Sequence, residues 1–206
     1  MEIEAKFRIA AADLPLVATL TSLGAYTLRA APAVEQQINT YYDTPDERLT
    51  TARYGLRVRQ IGPQSLVTLK GPAEVGDDGV HRRAEYEFPG SDPRPITWPP
   101  GVARDLALAL TGGASLQPTV IIATERQIRY VERDGLALAE LCLDRGVMRV
   151  ADREHTFTEL EVELLKAGRP ADLHSIVAAL AERVRISPES HSKLQRALQL
   201  RRQALA

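Results

Sequence analysis

The sequence has a single cysteine, Cys142, among 206 residues. It therefore cannot close an intramolecular disulfide and has no second thiol for a cysteine-based zinc site, so a reducing cytoplasm is the expected setting. Long apolar runs are missing too. No stretch approaches the ~20 residues that cross a bilayer, and Met1 to Lys6 has neither the basic nor the apolar region of a secretory signal. The expectation is a protein with no membrane partner. An excess of one charge sign is also lacking: 26 Lys and Arg face 27 Asp and Glu, for a net charge of −1. That balance argues against the broad basic surface of a nucleic-acid binder. What is present is ordinary for a globular protein, with 44% apolar and 26% charged residues. A chain of this length fits one domain over 1–206.

Two periodicities alternate along the chain, and the period of two dominates. Strands are expected at 1–9, 36–43, 55–61, 64–71, 80–88, 119–131, 136–144, 146–151 and 156–165. Helices are expected at 13–23, with Asp13 as N-cap and Gly24 past its end, and at 101–111, stopping at Gly112-Gly113. Two more begin near Pro170 and after Ser187-Pro188. Residues 89–100 hold five prolines and can form neither element. The fold class is α+β.

The informative feature is how the strands sort their side chains. Glu2, Glu4, Lys6 and Arg8 alternate with Ile3, Ala5, Phe7 and Ile9, so one face is charged and the other apolar. The split recurs at Arg57 and Arg59, at Thr68 and Lys70, at Arg83, Glu85 and Glu87, at Glu140 and Asp144, and at Glu159, Glu161 and Glu163. A single such strand reads most simply as a sheet with a solvated face. The repetition in nearly pure carboxylates, arginines and lysines points elsewhere. Glu159, Glu161 and Glu163 stand ~7 Å apart on one face, where neighbouring charges repel by ~2–3 kcal/mol at a dielectric near 20. A cation offsets that cost, and carboxylates are the ligands Mg²⁺ and Mn²⁺ prefer. Lys6, Arg57, Arg59, Lys70, Arg83 and Arg126 are fixed donors for phosphate oxygens. If the sheet curls with its apolar face outward, these charges share one lumen, and about eight strands leave room inside for a small ligand.

The same residues resemble a known family. Glu2-x-Glu4-x-Lys6, Tyr41-Tyr42-Asp43-Thr44-Pro45, Leu56-Arg57-Val58-Arg59, Thr68-Leu69-Lys70-Gly71, Arg83-x-Glu85, Leu143-Asp144-Arg145-Gly146 and Glu159-Leu160-Glu161 look like the CYTH domain, also called the triphosphate tunnel metalloenzymes. The match runs in order from residue 2 to about 165, and Ser192-Lys193 resembles the family's closing segment. The resemblance implies a closed eight-stranded antiparallel β-barrel, or tunnel, with a charged interior and flanking helices. It also implies metal-dependent hydrolysis of a triphosphate, with Mg²⁺ or Mn²⁺ as cofactor. Carried over, Glu2, Glu4, Glu159 and Glu161 are metal ligands, and Lys6, Arg57, Arg59, Lys70, Arg83 and Arg126 hold phosphates. Glu85 and Asp144 complete the polar lining, while Lys6, Lys70, Arg57 and Arg59 carry the catalysis. Arg129, on the opposite strand face, would replace Arg126 after a one-residue slip.

Inorganic triphosphate is the favoured substrate, because no base-recognition motif accompanies the polar lining. Thiamine triphosphate, ATP as the substrate of a class IV-type adenylate cyclase, and a non-catalytic polyphosphate-binding module are the alternatives. Trp98, in the proline-rich connection, is a candidate for stacking on a thiazole or adenine ring. Ser190-x-x-Lys193 reads as coincidence rather than an acylase signature, and the four histidines show no metal-ligand spacing. The end of the carboxy-terminal helix, Arg196 to Arg202, has three readings, a cap on one tunnel mouth, a contact with a second subunit or a solvated basic face, of which the last is expected first; the protein is expected to be a monomer or homodimer.

Overall fold

The computed structural model describes residues 1–76, 80–150 and 153–205. The chain opens with β1 (Glu2–Ile9), α1 (Leu14–Thr19), β2 (Ser22–Leu23), β3 (Tyr26–Ala30), β4 (Glu35–Asp43) and α2 (Arg48–Thr51). Next come β5 (Gly55–Ile61), β6 (Gln64–Lys70), β7 (Glu74–Val75), β8 (His81–Arg83), β9 (Glu85–Pro89) and α3 (Val102–Thr111). Three long strands follow, β10 (Gln117–Arg133), β11 (Leu136–Val150) and β12 (Arg153–Leu164), then α4 (Pro170–Ala181), β13 (Ile186–Pro188) and α5 (Lys193–Leu205). Among the described residues, no helix is long and apolar enough to cross a membrane.

The strands form one sheet whose hydrogen-bonded order is β7-β8-β1-β12-β11-β10-β4-β5-β6-β9, with β13 on β1 and β3 on β10. Its pairings are antiparallel, as the α+β reading requires. The closed eight-stranded barrel is not what this order describes. The sheet has 13 strands, and the path through ten of them leaves β7 and β9 as separate ends. The reason lies in residues 80–88, expected as one strand. The segment breaks at Ala84: Arg83 before it pairs with Glu2 of β1, and Glu85 after it pairs with Lys70 of β6. One short stretch of chain thus touches both sides of the sheet, and the Ala84 carbonyl accepts a hydrogen bond from Gly71 N–H at 2.9 Å.

Alternation decides what packs where. The apolar face of β1, β11 and β12 meets α1 and α4 through Val17, Leu141, Leu160, Val162, Leu173 and Ile176, all fully buried. Each such side chain contributes roughly 1.5–3 kcal/mol. A second cluster sets Leu49, Ala107 and Trp98 against Leu56, Val67 and Leu69. Trp98 therefore belongs to the core rather than to a stacking site: it is 4% exposed, donates its indole N–H to the Asp92 carbonyl, and meets Phe88 edge-on. A third cluster seats α5 on β10 and β11.

Several boundaries differ from expectation. The first helix stops at Thr19 because Ser22 and Leu23 pair with Thr27 and Tyr26 around Gly24, whose φ of +55° suits glycine. Segments 136–144 and 146–151 are one strand through Val150, passing Gly146 without a break. Ile186–Pro188 extends the sheet, and the last helix starts only at Lys193.

Candidate active site

The charged strand faces line a cavity of about 850 Å³. Its wall includes Glu2, Glu4, Lys6, Arg57, Arg59, Lys70, Arg83, Glu85, Arg126, Asp144 and Glu161, so eleven of the twelve residues singled out from the sequence meet there. The twelfth, Glu159, is fully buried just behind the wall. Lys70 Nζ lies 2.7 Å from Glu2 and 3.2 Å from Glu85, joining β6 to β1 across the break at Ala84. Arg83 donates to Glu2 and, at 2.8 Å, to Glu4, which also pairs with Lys6 at 2.9 Å. Against the cost of burial, Lys70 and Arg83 hold the Glu2 carboxyl well below the usual carboxylate range.

β5 contributes the barest cations. Arg57 donates to Thr68 at 3.2 Å and lies 3.6 Å from Glu87. Arg59 donates to Asn39 at 3.0 Å, and among the described residues it has no carboxylate within ion-pair distance. Burial, with the like charges of Arg57 and Arg126, lowers its pKa to about 10. Tyr41 faces the same space. Burial raises its phenol, but Arg57, Lys70, Arg59 and Lys193 together bring it below the ordinary value.

Carboxylates collect in two groups, in each of which one oxygen per residue lies within 4.8 Å of the others: Asp144, Glu159 and Glu161, and Glu2, Glu85 and Glu163. The first is the more buried. Arg126 grips Asp144 through two bonds of 2.8 and 2.6 Å and also reaches Glu161. Arg129, the residue a slip would have substituted, points the other way and donates to the carbonyls of Ala18, Leu20 and Leu28. Burial raises the pKa of each acid in this group. Arg126 and Lys193 reverse that for Asp144, and Lys193 and Arg126 for Glu161, so both are held low. Glu159 goes the other way, pushed up to about 7 by burial beside the charged Glu161 despite its cationic partners. Glu163 is likewise pushed up to about 7 by burial and by Glu2. The expected pairing of Glu2 and Glu4 with Glu159 and Glu161 is thus divided: Glu2 groups with Glu85 and Glu163, and Glu4 is held by Lys6 and Arg83.

Two cations were not anticipated. Lys193, at the start of α5, lies 2.9 Å from Asp144 and 2.7 Å from Glu161 and also contacts Glu159, while Arg196 contacts Glu159. Arg196 thus departs from the solvated basic face expected first of the helix end, since its side chain is only 18% exposed and that of Lys193 14%. Their spacing of three residues, which places them on one helix face, was the available signal. Arg8 instead leaves the site, with its side chain 66% exposed. Cys142 is completely buried, and burial pushes its thiol well above the ordinary value, which removes it as a nucleophile.

The donors of both groups are all oxygens, the set a hard divalent cation takes and a thiophilic metal does not. In the first group the Lys193 ammonium sits among the three carboxylates, so the cluster already holds a cation where a metal ion would bind.

Known proteins share this sequence pattern and this fold. The model of the CYTH domain family matches residues 1–197. An inorganic triphosphatase of Haemophilus influenzae is 32% identical over 159 residues, covering 77% of this chain but only 44% of that longer protein. Among solved structures, a Hippeastrum protein first assigned as an adenylyl cyclase, and described as revealing a dominant triphosphatase activity, superposes with a TM-score of 0.69. It has 18% identity over 99% of this chain and 96% of its own. A Bacillus halodurans protein assigned as an adenylate cyclase gives 0.65 and 21% over 95% and 96%. By its seven ordered motifs, its antiparallel fold and this match over nearly its whole length, the chain belongs to the CYTH domain family.

Proposed function

We propose that this chain is a divalent-metal-dependent triphosphatase acting on inorganic triphosphate, with residues 1–206 forming one catalytic domain. The observation that carries the reading is the single cavity in which the cations of β5 and β6 face the carboxylates of β1, β11 and β12. The 2.7 Å contact of Lys70 with Glu2 supports treating β8 and β9 as one kinked strand that closes an eight-stranded tunnel of β1, β12, β11, β10, β4, β5, β6 and β8–β9. The Haemophilus influenzae relative, named an inorganic triphosphatase, supports the choice of substrate.

In this reading Arg57, Arg59, Lys70 and Lys6 hold the phosphate oxygens and stabilise the charge that develops at the transferred phosphoryl group. Arg83 and Arg126 align Glu2, Glu4, Asp144 and Glu161, which with Glu159 would hold Mg²⁺ or Mn²⁺. The ion supplies charge neutralisation and an activated water when bound. Water attacks the terminal phosphorus in line, the bridging P–O bond breaks, and pyrophosphate leaves toward the cationic wall. An ion held by Asp144, Glu159 and Glu161 would compete with the Lys193 ammonium for the same oxygens.

The test is phosphate release from inorganic triphosphate with Mg²⁺ or Mn²⁺, alongside thiamine triphosphate and ATP, with cyclic AMP assayed separately. Glu4→Gln with Lys70→Ala should lower kcat/KM by about a thousandfold or more, since each removes a charge acting on the transition state. Unchanged turnover in the double variant would refute the site, and cyclic AMP as the main product would replace the hydrolase with a cyclase.

A further inference from the structure

The cations of the cavity wall are not equally free. Lys6, Lys70, Arg83 and Arg126 each lie within 3.2 Å of at least one carboxylate. Arg57 is 3.6 Å from Glu87 and 3.9 Å from Glu85, and it donates to Thr68, whose hydroxyl in turn donates to Glu87 at 2.8 Å. Arg59 is the exception, with no carboxylate within ion-pair distance among the described residues.

The pairing of β5 with its neighbours explains why. Directly opposite Arg59 stand Asn39 on β4 and Leu66 on β6, neither of them charged. The next positions on the same face of β4 are Gln37 and Tyr41, neutral as well. Glu35 is the first carboxylate along that face, and it is engaged by the Gln37 amide at 2.6 Å.

Asn39 is 4% exposed, and both ends of its amide are used. Nδ2 donates to the Ile122 carbonyl at 3.2 Å, which leaves Oδ1 to accept from Arg59 Nε at 3.0 Å. The bond to β10 therefore decides which end of the amide faces the guanidinium. That contact engages Nε alone and leaves both Nη groups of a cavity-lining arginine for an added anion. A carboxylate in the same place would also align Arg59, but it would compete with a phosphate oxygen for the same charge.

We infer that Asn39 is a positioning residue of the phosphate site: its neutral amide holds Arg59 in place while leaving the guanidinium charge to the substrate, so the site requires neutrality at residue 39 as well as an acceptor. This role rests on the triphosphatase reading, in which Arg59 holds phosphate oxygens, and it extends that reading to a residue one strand away.

The test reads binding of inorganic triphosphate by calorimetry with metal omitted, and each variant's melting curve reports folding. Asn39→Ala should raise Kd by about fivefold or more, and in an Arg59→Gln background it should add less than about twofold, because the amide acts through Arg59. Asn39→Asp keeps an acceptor for Arg59 Nε and adds a charge, so it should not rescue: Kd should rise by about tenfold or more. Ile38→Asp puts the same charge one residue away on the outer face, where Ile38 is 46% exposed; it should change Kd by less than about twofold. Binding by Asn39→Asp within twofold of the unaltered chain would overturn the requirement for neutrality. An Asn39→Ala loss of equal size with and without Arg59, or an equal loss from Ile38→Asp, would overturn the positioning role. Should Asn39→Asp fail to fold, the cycle of Asn39→Ala with Arg59→Gln decides alone. Phosphate release with Mg²⁺ is measured separately: an unaltered chain that shows the binding contrast but no release sinks the triphosphatase reading and leaves Asn39 in its role.

Discussion

Lys193 is the residue on which the buried carboxylates depend most directly. Its ammonium contacts Asp144, Glu159 and Glu161, and these contacts raise its own pKa against the cost of burial. Removing one member of a buried charge network commonly costs about 3–5 kcal/mol, because the partners stay desolvated and unpaired. Lys193→Met should therefore lower the melting temperature at pH 7.5 by about 6–20 °C in a chain of this size. The pH dependence follows from which acids are held low. Asp144 and Glu161 have depressed pKa values, so their pairing stabilises the fold above the ordinary carboxylate range and is lost as pH falls through their folded values. The variant lacks that contribution, so its deficit should hold from neutrality down to the ordinary carboxylate range and shrink only as pH falls below about 4. Millimolar Mg²⁺ should restore much of the loss at pH 7.5, since the vacated position is surrounded by oxygens. Differential scanning fluorimetry across pH, with and without Mg²⁺, reads all three outcomes; a deficit independent of both would show that Lys193 acts by packing alone.

At the scale of elements, alternation made most of the sheet legible before any coordinates. In β1, Glu2, Glu4 and Lys6 share one face, and all three are buried in the cavity wall while Ala5 and Phe7 pack outward. What alternation does not encode is where a strand changes partners. Ala84 is an ordinary residue between Arg83 and Glu85, and only the pairing of each with a different strand reveals the break. Nor does it show how far a helix leans over a cavity, so alternation alone leaves Lys193 and Arg196 unplaced. The motif around Asp144 hid a backbone constraint as well. Gly146 sits in mid-strand, where a Cβ would come within 2.5 Å of both the Ala123 carbonyl oxygen and the Phe157 ring. β10 and β12 cannot both retreat without breaking their ladders on β11. Gly146→Ala should destabilise the protein by about 2–3 kcal/mol, the usual cost of overpacking, read as a lower urea midpoint at unchanged slope. A midpoint equal to that of the unaltered chain would mean that the Phe157 ring turns aside freely.

For the whole molecule, a net charge of −1 conceals an interior where cations and carboxylates are buried against one another rather than against water. Such an interior is held by mutual compensation and gains stability from a bound polyanion, because among the described residues Arg59 has no carboxylate within ion-pair distance and the buried Arg57 Nε has no hydrogen-bond partner. A ligand that binds only the folded state adds RT ln(1 + [L]/Kd), about 2.7 kcal/mol at a hundredfold excess over Kd. For a chain of this length that corresponds to about 5–11 °C in melting temperature. Triphosphate with Mg²⁺ should produce a shift of that size, and orthophosphate at equal concentration and ionic strength less than about a third of it, since one phosphate cannot reach the cations of β5, β6 and β1 together. Equal shifts from orthophosphate, sulfate and triphosphate would assign the binding to scattered surface cations. A shift specific to triphosphate ties the stability of the entire sheet to occupancy of the space its charged faces surround.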